Sequence, residues 1–393
     1  MKLFIWTRTL DHLQLHTWNA VQALLGDRIS YILVEPENHG RKQQGWQAAD
    51  ISDLDVILMK KQGWWQQSRA ILSRNPGAIH VFWGFWSERR LFPLIVYAVH
   101  RGIPTVVLNE HYSTSPVGYL REENPFVARL KVFLRPFLYR GAASLLKLAA
   151  CGGRRACVFS LSPQAYDQYV RAGFDKETLF PFGYFVPKMS VPVHQPEQAD
   201  HLRLVFVAAL LKRKGLDIAI RAVQRLNRDG IQATLDVYGS GDPAEFMPPT
   251  SETVAYKGVI PTEQAQSVIA HYDALILPSR HDGWGVVVNE SLLQGVPVIV
   301  SDSVGAKCLV EFNGAGLVFE NENVEDLVER LAEIRESPGL MEAMCLNAGA
   351  IGKYILPEAA ARYFLDALRF YFHGLGPRPQ AIWCSQRLTG GGM

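Results

Sequence analysis

At 393 residues, with 48% hydrophobic and 20% charged side chains, the chain is longer than one hydrophobic core usually covers and apolar enough to fold, so two domains of ordinary size are expected. A net charge of +2 says little about partners, because it is small and its distribution matters more. The five cysteines, Cys151, Cys157, Cys308, Cys345 and Cys384, are odd in number and hold no Cys-x-x-Cys pair; they argue against a disulfide framework and fit a reducing cytoplasm.

The chain opens on a strand-sized apolar run, residues 3–6, that stops too soon for a secretory core. Its most apolar region, residues 81–108, is interrupted by Glu88, Arg89, Arg90, His100 and Arg101. That leaves it short of the roughly 20 apolar residues a span needs, so the chain is expected to touch a membrane at most and not to cross one. Residues 3–6, 29–34, 56–59, 79–83, 105–108 and 157–160 read as strands, with residues 15–25, 91–99 and 164–172 as helices between some of them. Ser162-Pro163 gives the last helix a cap and a first-turn proline, and Gly173 ends it. Such alternation predicts a parallel sheet layered by helices. Between residues 184 and 202 it dissolves among Pro187, Pro192 and Pro196, which predicts an interdomain linker.

Three stretches of this half bear on chemistry. His111, in Asn109-Glu110-His111, ends a strand at the sheet edge where open α/β sheets bind ligands, and Asp11, His12 and His16 lie in the loop after the first strand. Asp53-Leu54-Asp55 could pass for a metal-binding acid pair, but it precedes a strand and so lies at the wrong edge. No His or Cys cluster has metal-ligand spacing, and no metal is expected. Residues 125–155 carry seven cations (Arg129, Lys131, Arg135, Arg140, Lys147, Arg154 and Arg155) and no acid, interleaved with Phe126, Phe133, Leu134, Phe137, Leu138, Leu145 and Leu146. The stretch suits either a core helix with a solvated basic face or a helix lying on an anionic membrane, where each cation adds roughly 1 kcal/mol.

The second half restarts the alternation, with strands at 202–208, 233–238 and 254–256 and helices at 216–227 and 262–271. Lys212-Arg213-Lys214-Gly215 follows a strand, where cations suit a diphosphate, and Gly239-Ser240-Gly241 and Gly258-Val259-Ile260 follow the next two. Residues 277–310 then read as strand end, glycine turn, a helix at 286–293 and a buried strand at 296–300. Gly283 and Gly285 frame a turn whose bare N–H groups, at a helix start, invite a phosphorylated or sugar ligand. Asp282 precedes the turn and Glu290 rides on the helix, 290 − 282 = 8 positions later, so the two acids can reach different parts of one extended ligand. A last helix is expected at 358–372, and the Gly- and Pro-rich end, 374–393, is expected to be loosely held.

These spaced elements together resemble the retaining glycosyltransferases of family 4, which have the GT-B fold. Pro278, Ser279, Asp282-Gly283-Trp284-Gly285, Glu290, Gly295, Pro297-Val298-Ile299 and Ser301-Asp302 carry the resemblance, Asp282 standing where the family commonly has Glu. It implies an α/β protein of two Rossmann-like domains facing a cleft: residues 1–190 on the acceptor side, 191–357 for the nucleotide-sugar, and 358–393 as a helix crossing back to the first domain with a tail. It implies retaining transfer of a sugar from a UDP- or GDP-sugar to a hydroxyl of a glycan or lipid-linked acceptor, without metal. By resemblance, Arg213 and Lys214 bind the diphosphate, Arg213 replacing an arginine usual at the position of Ala209. Glu290 takes the ribose hydroxyls. Asp282 and the N–H groups of Gly283, Trp284, Gly285 and Val286 position the sugar, and His111 contacts it. Gly239 and Gly241 border the nucleotide, and Val259 and Ile260 meet the base through their backbone. Related enzymes often glycosylate lipid-linked acceptors, so a cytoplasmic protein with peripheral contact to an anionic inner membrane face through 125–155 is expected. No nucleic-acid partner is expected. An epimerase or hydrolase of nucleotide-sugars on the same fold, or a binder without turnover that serves as an assembly subunit, would fit the same residues.

Overall fold

The computed structural model describes residues 1–35, 51–86, 88, 90–119, 124–191, 201–247, 251–337 and 339–381; Arg89, Pro192, Pro196, Cys384 and the tail from residue 382 lie outside them. The expected alternation builds two parallel sheets. The first is seven-stranded, in the order β3-β2-β1-β4-β5-β6-β7, from β1 (Leu3–Thr7), β2 (Ile29–Leu33), β3 (Val56–Leu58), β4 (Ile79–Trp83), β5 (Thr105–Glu110), β6 (Ala156–Leu161) and β7 (Leu179–Phe182). Its described helices are α1 (His12–Leu25), α2 (Trp64–Arg74), α3 (Leu91–His100), α4 (Pro125–Ala150) and α5 (Pro163–Ala172). Every residue of β1 and β2 is buried, because parallel strands are covered on both faces.

The second sheet has six strands in the order β10-β9-β8-β11-β12-β13: β8 (Leu202–Val207), β9 (Ala233–Tyr238), β10 (Val254–Gly258), β11 (Ala274–Leu277), β12 (Val298–Ser301) and β13 (Gly316–Phe319). It is layered by α6 (Leu216–Arg228), α7 (Ala265–Ile269), α8 (Val286–Leu293), α9 (Lys307–Glu311), α10 (Val324–Glu336) and α11 (Leu340–Gly352). The final helix, α12 (Pro357–His373), returns to pack on α1. There Phe364 meets Trp18 (ring centroids 5.4 Å apart) and Phe159 (4.8 Å), and the Tyr371 hydroxyl donates to the Ala156 carbonyl at 2.6 Å.

Three expectations need correction. The helix expected at 262–271 is a tight turn, Thr262–Gln264, followed only by the five residues of α7. The strand expected at 296–300 runs instead from Val298 to Ser301: Pro297 lacks an N–H for the ladder, and its carbonyl accepts from Leu275 N where pairing begins. The expected linker begins as core, since Tyr184, Phe185 and Val186 are buried in the cluster that contains Trp284. That same cluster extends from Leu3 and Ile5 through Phe159, Phe182 and Phe364 to Leu277 and Val298, so the two sheets share buried apolar contact.

Candidate active site

In each sheet the strand order reverses at one point, between β1 and β4 in the first and between β8 and β11 in the second, and ligands bind open α/β sheets beyond the strand ends at such points. After β8 the cationic run forms a turn, Lys212–Lys214, closed by Gly215 at φ +71°. A Cβ on Gly215 would stand 2.0 Å from the Pro278 carbonyl oxygen, so glycine alone lets this turn lie against the segment leaving β11. Arg280 locks the arrangement: its guanidinium donates to both Asp217 carboxylate oxygens at 2.8 Å and to the Lys212 carbonyl at 2.7 Å, while its N–H bonds the Arg213 carbonyl at 2.7 Å.

Lys214 is thereby brought into an ion pair with Asp282, both side chains largely buried, and Arg213 Nη1 donates to the His281 carbonyl at 3.3 Å. Burial alone would raise the Asp282 carboxyl, but the neighbouring Lys214 and Arg213 charges outweigh it and hold the group below the usual carboxylate range. Arg213 is therefore next to Lys214 and Asp282, where the sequence places it, while Ala209 lies against the Gly239 turn.

Gly283 and Gly285 lead into α8, so its first-turn N–H groups and positive dipole end begin four positions after Asp282, and no side chain caps them. The Trp284 ring is 2% exposed, packs over Gly183, and donates from Nε1 to Asn289 Oδ1 at 2.7 Å, while Asn289 Nδ2 donates to the Tyr184 carbonyl at 3.1 Å. Trp284 and Asn289 are scaffold between the two halves. Glu290, on the helix, is buried, and burial alone pushes its carboxyl up to about 7. The two acids of the motif thus differ: one carries a partnered charge, the other is poised to ionise near neutrality.

The first sheet supplies the opposing wall. β5 extends through Asn109 and Glu110, which pair with Ser160 and Leu161, so His111 emerges at the strand end. Its ring lies edge-on to His281 at 4.8 Å, and its Nδ1 is 3.2 Å from Ser162 Oγ. Burial, then the His281 charge, lowers His111 to about 3, leaving it neutral near pH 7. At the β1/β4 switch point a cavity of about 380 Å³ is lined by Thr9, Asp11, Trp83, Asn109 and His111 and reaches His281 of the second half. Asp11 also caps α1, accepting from Gln14 N at 3.0 Å; His16 lines a separate pocket with Pro187 and Pro357.

Gly239 and Gly241 lie at the end of β9, and Val259 and Ile260 just beyond β10, two strand spacings or about 10 Å from β8. The two glycines answer first to packing: a Cβ on Gly239 would come 1.8 Å from the Ala208 carbonyl oxygen, and one on Gly241 2.7 Å from Leu210 Cβ. Val259 is exposed and Ile260 half-buried. Among the described residues no group of three or more His, Cys, Asp or Glu is placed to hold a metal ion, and Asp55 instead accepts from Ser30 Oγ at 2.5 Å.

Glu110 and Tyr184 stand out only in the fold. The Tyr184 hydroxyl donates to Glu110 Oε1 at 2.5 Å, and Glu110 Oε2 lies so close to Gly283 that an added Cβ would approach it to 2.1 Å. A carboxylate from the first sheet therefore abuts the glycine turn of the second. Its one sequence signal is adjacency to His111.

Residues 193–349 match the family model described as Glycosyl transferases group 1. The chain is similar to the alpha-D-kanosaminyltransferase of Streptomyces kanamyceticus, 27% identical over 177 residues, which are 43% of this chain and 43% of that protein. It is also similar to a GDP-mannose-dependent alpha-(1-6)-phosphatidylinositol monomannoside mannosyltransferase of Mycobacterium tuberculosis, 26% identical over 194 residues, 44% of this chain and 48% of that one. The matches span less than half the length of these relatives. Among solved structures, Anabaena HepE in complex with UDP superposes with a TM-score of 0.68 at 16% identity, covering 94% of this chain and 99% of that chain. WaaG, a glycosyltransferase involved in lipopolysaccharide biosynthesis, superposes with a TM-score of 0.57 at 16% identity, covering 91% and 98%.

Proposed function

We propose, from the match of residues 193–349 to the glycosyl transferases group 1 model and from the GT-B fold, that the protein is a retaining glycosyltransferase, moving a sugar from a nucleoside diphosphate to a hydroxyl of a glycan or lipid-linked acceptor. The observation that carries the reading is the convergence of Lys214, Arg213, Asp282 and the α8 start on one edge, with His111 and Glu110 of the other sheet facing them. In this reading residues 191–357 hold the donor and residues 1–190 the acceptor, with the cavity of about 380 Å³ as acceptor site. HepE, solved with UDP, and the GDP-mannose-dependent relative make UDP- and GDP-sugars the donors to test first.

Arg213, Lys214 and the α8 N–H groups neutralise charge gathering on the diphosphate as the sugar–oxygen bond lengthens, an electrostatic effect that grows toward the transition state. Asp282 orients Lys214 and, with the turn backbone, the sugar hydroxyls. Glu290 accepts from the ribose hydroxyls. The acceptor oxygen forms its bond to the anomeric carbon on the face the diphosphate leaves; the departing phosphate oxygen keeps the electron pair of the broken bond and takes the acceptor proton. No side chain acts as nucleophile, and positive charge at the diphosphate comes from the protein, so the assay is run with EDTA present. Replacing Lys214 with Ala is expected to lower turnover by about a hundredfold or more, the scale of losing one oxyanion donor. Unchanged turnover would remove the diphosphate assignment.

A further inference from the structure

The side of α4 left outside the fold is apolar. Its inward face, with Ala128, Tyr139, Ala142 and Leu146, is buried and packs on α3 and α5. Outward, nine large apolar residues are exposed, among them Phe126 (72%), Phe133 (64%) and Leu148 (76%), with the Phe133 and Phe137 rings paired at 5.5 Å. At about 100° per residue all nine fall within an arc of roughly 140°, opposite the buried face and running the helix length. A helix facing water carries charge there, and a contiguous apolar stripe marks a surface that is covered in use.

The edges of the stripe identify what covers it. Arg129, Arg140 and Lys147 follow one flank and Lys131 the other, and residues 125–155 contain no acid. The Arg140 guanidinium lies 5.9 Å over the Phe137 ring, as when a cationic head sits at the rim of an apolar surface. A second copy docked through this face would set cation against cation with no acid on either helix to offset them. An anionic headgroup layer above an acyl phase matches both features. The helix is 26 residues long, yet no described helix is apolar enough to cross a membrane, and the cations space it for lying in the plane. We propose that α4 docks the protein on an anionic lipid bilayer, Phe126, Phe133, Phe137 and Leu148 entering the acyl boundary.

Arg135 and Tyr139, on the other side of the same helix, line the cavity of about 380 Å³. Docking therefore holds that cavity within about one helix diameter, roughly 10 Å, of the headgroups. Resting on the transferase reading, this selects a lipid-anchored acceptor that reaches the cavity without leaving the bilayer. The docking itself is read without any transfer assay. Flotation with phosphatidylcholine vesicles, with and without phosphatidylglycerol, is expected to carry the full chain only with the anionic vesicles. Phe133→Ser/Phe137→Ser/Leu148→Ser and, separately, Arg129→Gln/Lys147→Gln are expected to weaken binding at least about tenfold with an unchanged melting temperature. The proposal is overturned if the wild-type chain ignores anionic vesicles, or binds neutral ones as well. It is equally overturned if the chain is a dimer that the serine variant turns into monomer, which would make the stripe a contact between copies.

Discussion

Asp282 and Glu290 are the same chemical group set eight positions apart, and the fold drives their ionisation in opposite directions. Lys214 and Arg213 hold Asp282 charged against its burial, whereas burial alone pushes Glu290 up to about 7. A folded carboxyl that keeps its proton to about pH 7, against 4.5 for the ordinary group, makes folding take up a proton between those values. Stability from this group therefore falls as pH rises through that window and levels off above it, a loss of at most about 3 kcal/mol. Glu290→Gln is expected to remove the slope, gaining on the wild type from about pH 4.5 to about pH 7 in urea unfolding while binding donor more weakly; a stability difference independent of pH would refute this account. Both acids were legible as a pair from spacing. Which one is partnered was not, because Lys214 lies 68 positions from Asp282 and meets it only through the turn at Gly215.

The elements owe their positions to close backbone approach. The turn at 212–214 reaches Asp282 because Gly215 lets main chain touch main chain at Pro278. Gly215→Ala combines a left-handed φ with a Cβ 2.0 Å from a carbonyl oxygen, so it is expected to cost more than about 2 kcal/mol and to abolish donor-induced thermal stabilisation. Gly230 also has a positive φ but open space around it, and Gly230→Ala is expected to cost about 1 kcal/mol and leave donor binding intact. Similar losses in both would show that backbone strain, and not the approach to Pro278, governs the turn. Close approach also accounts for Gly239 and Gly241, which the family resemblance sets beside the nucleotide: a Cβ on either would collide with Ala208 or Leu210, so packing alone requires glycine there.

At the scale of the molecule, one apolar cluster joins strands of both sheets, with Trp284, Phe185 and α12 among its members. A shared core couples the two halves, so heating is expected to give a single unfolding transition. Phe364, fully buried between Trp18, Phe159 and Phe182, should destabilise by about 3–5 kcal/mol when cut to alanine, moving that one transition as a whole. Two resolved calorimetric transitions, only one shifted in Phe364→Ala, would show the halves to be independent.

Strand and helix succession, the class of fold and the run from Pro278 to Asp302 could be read from the chain alone, because period, turn residues and motif spacing are local properties of sequence. Pairings across 68 to 173 positions, such as Lys214 with Asp282, Glu110 against Gly283 and Asn289 with Tyr184, exist only once the sheets face each other. The outward aspect of α4 belongs with them. Composition left a core helix and a surface helix equally open, and it was the packing of Ala128, Tyr139 and Ala142 inward that turned the phenylalanines out.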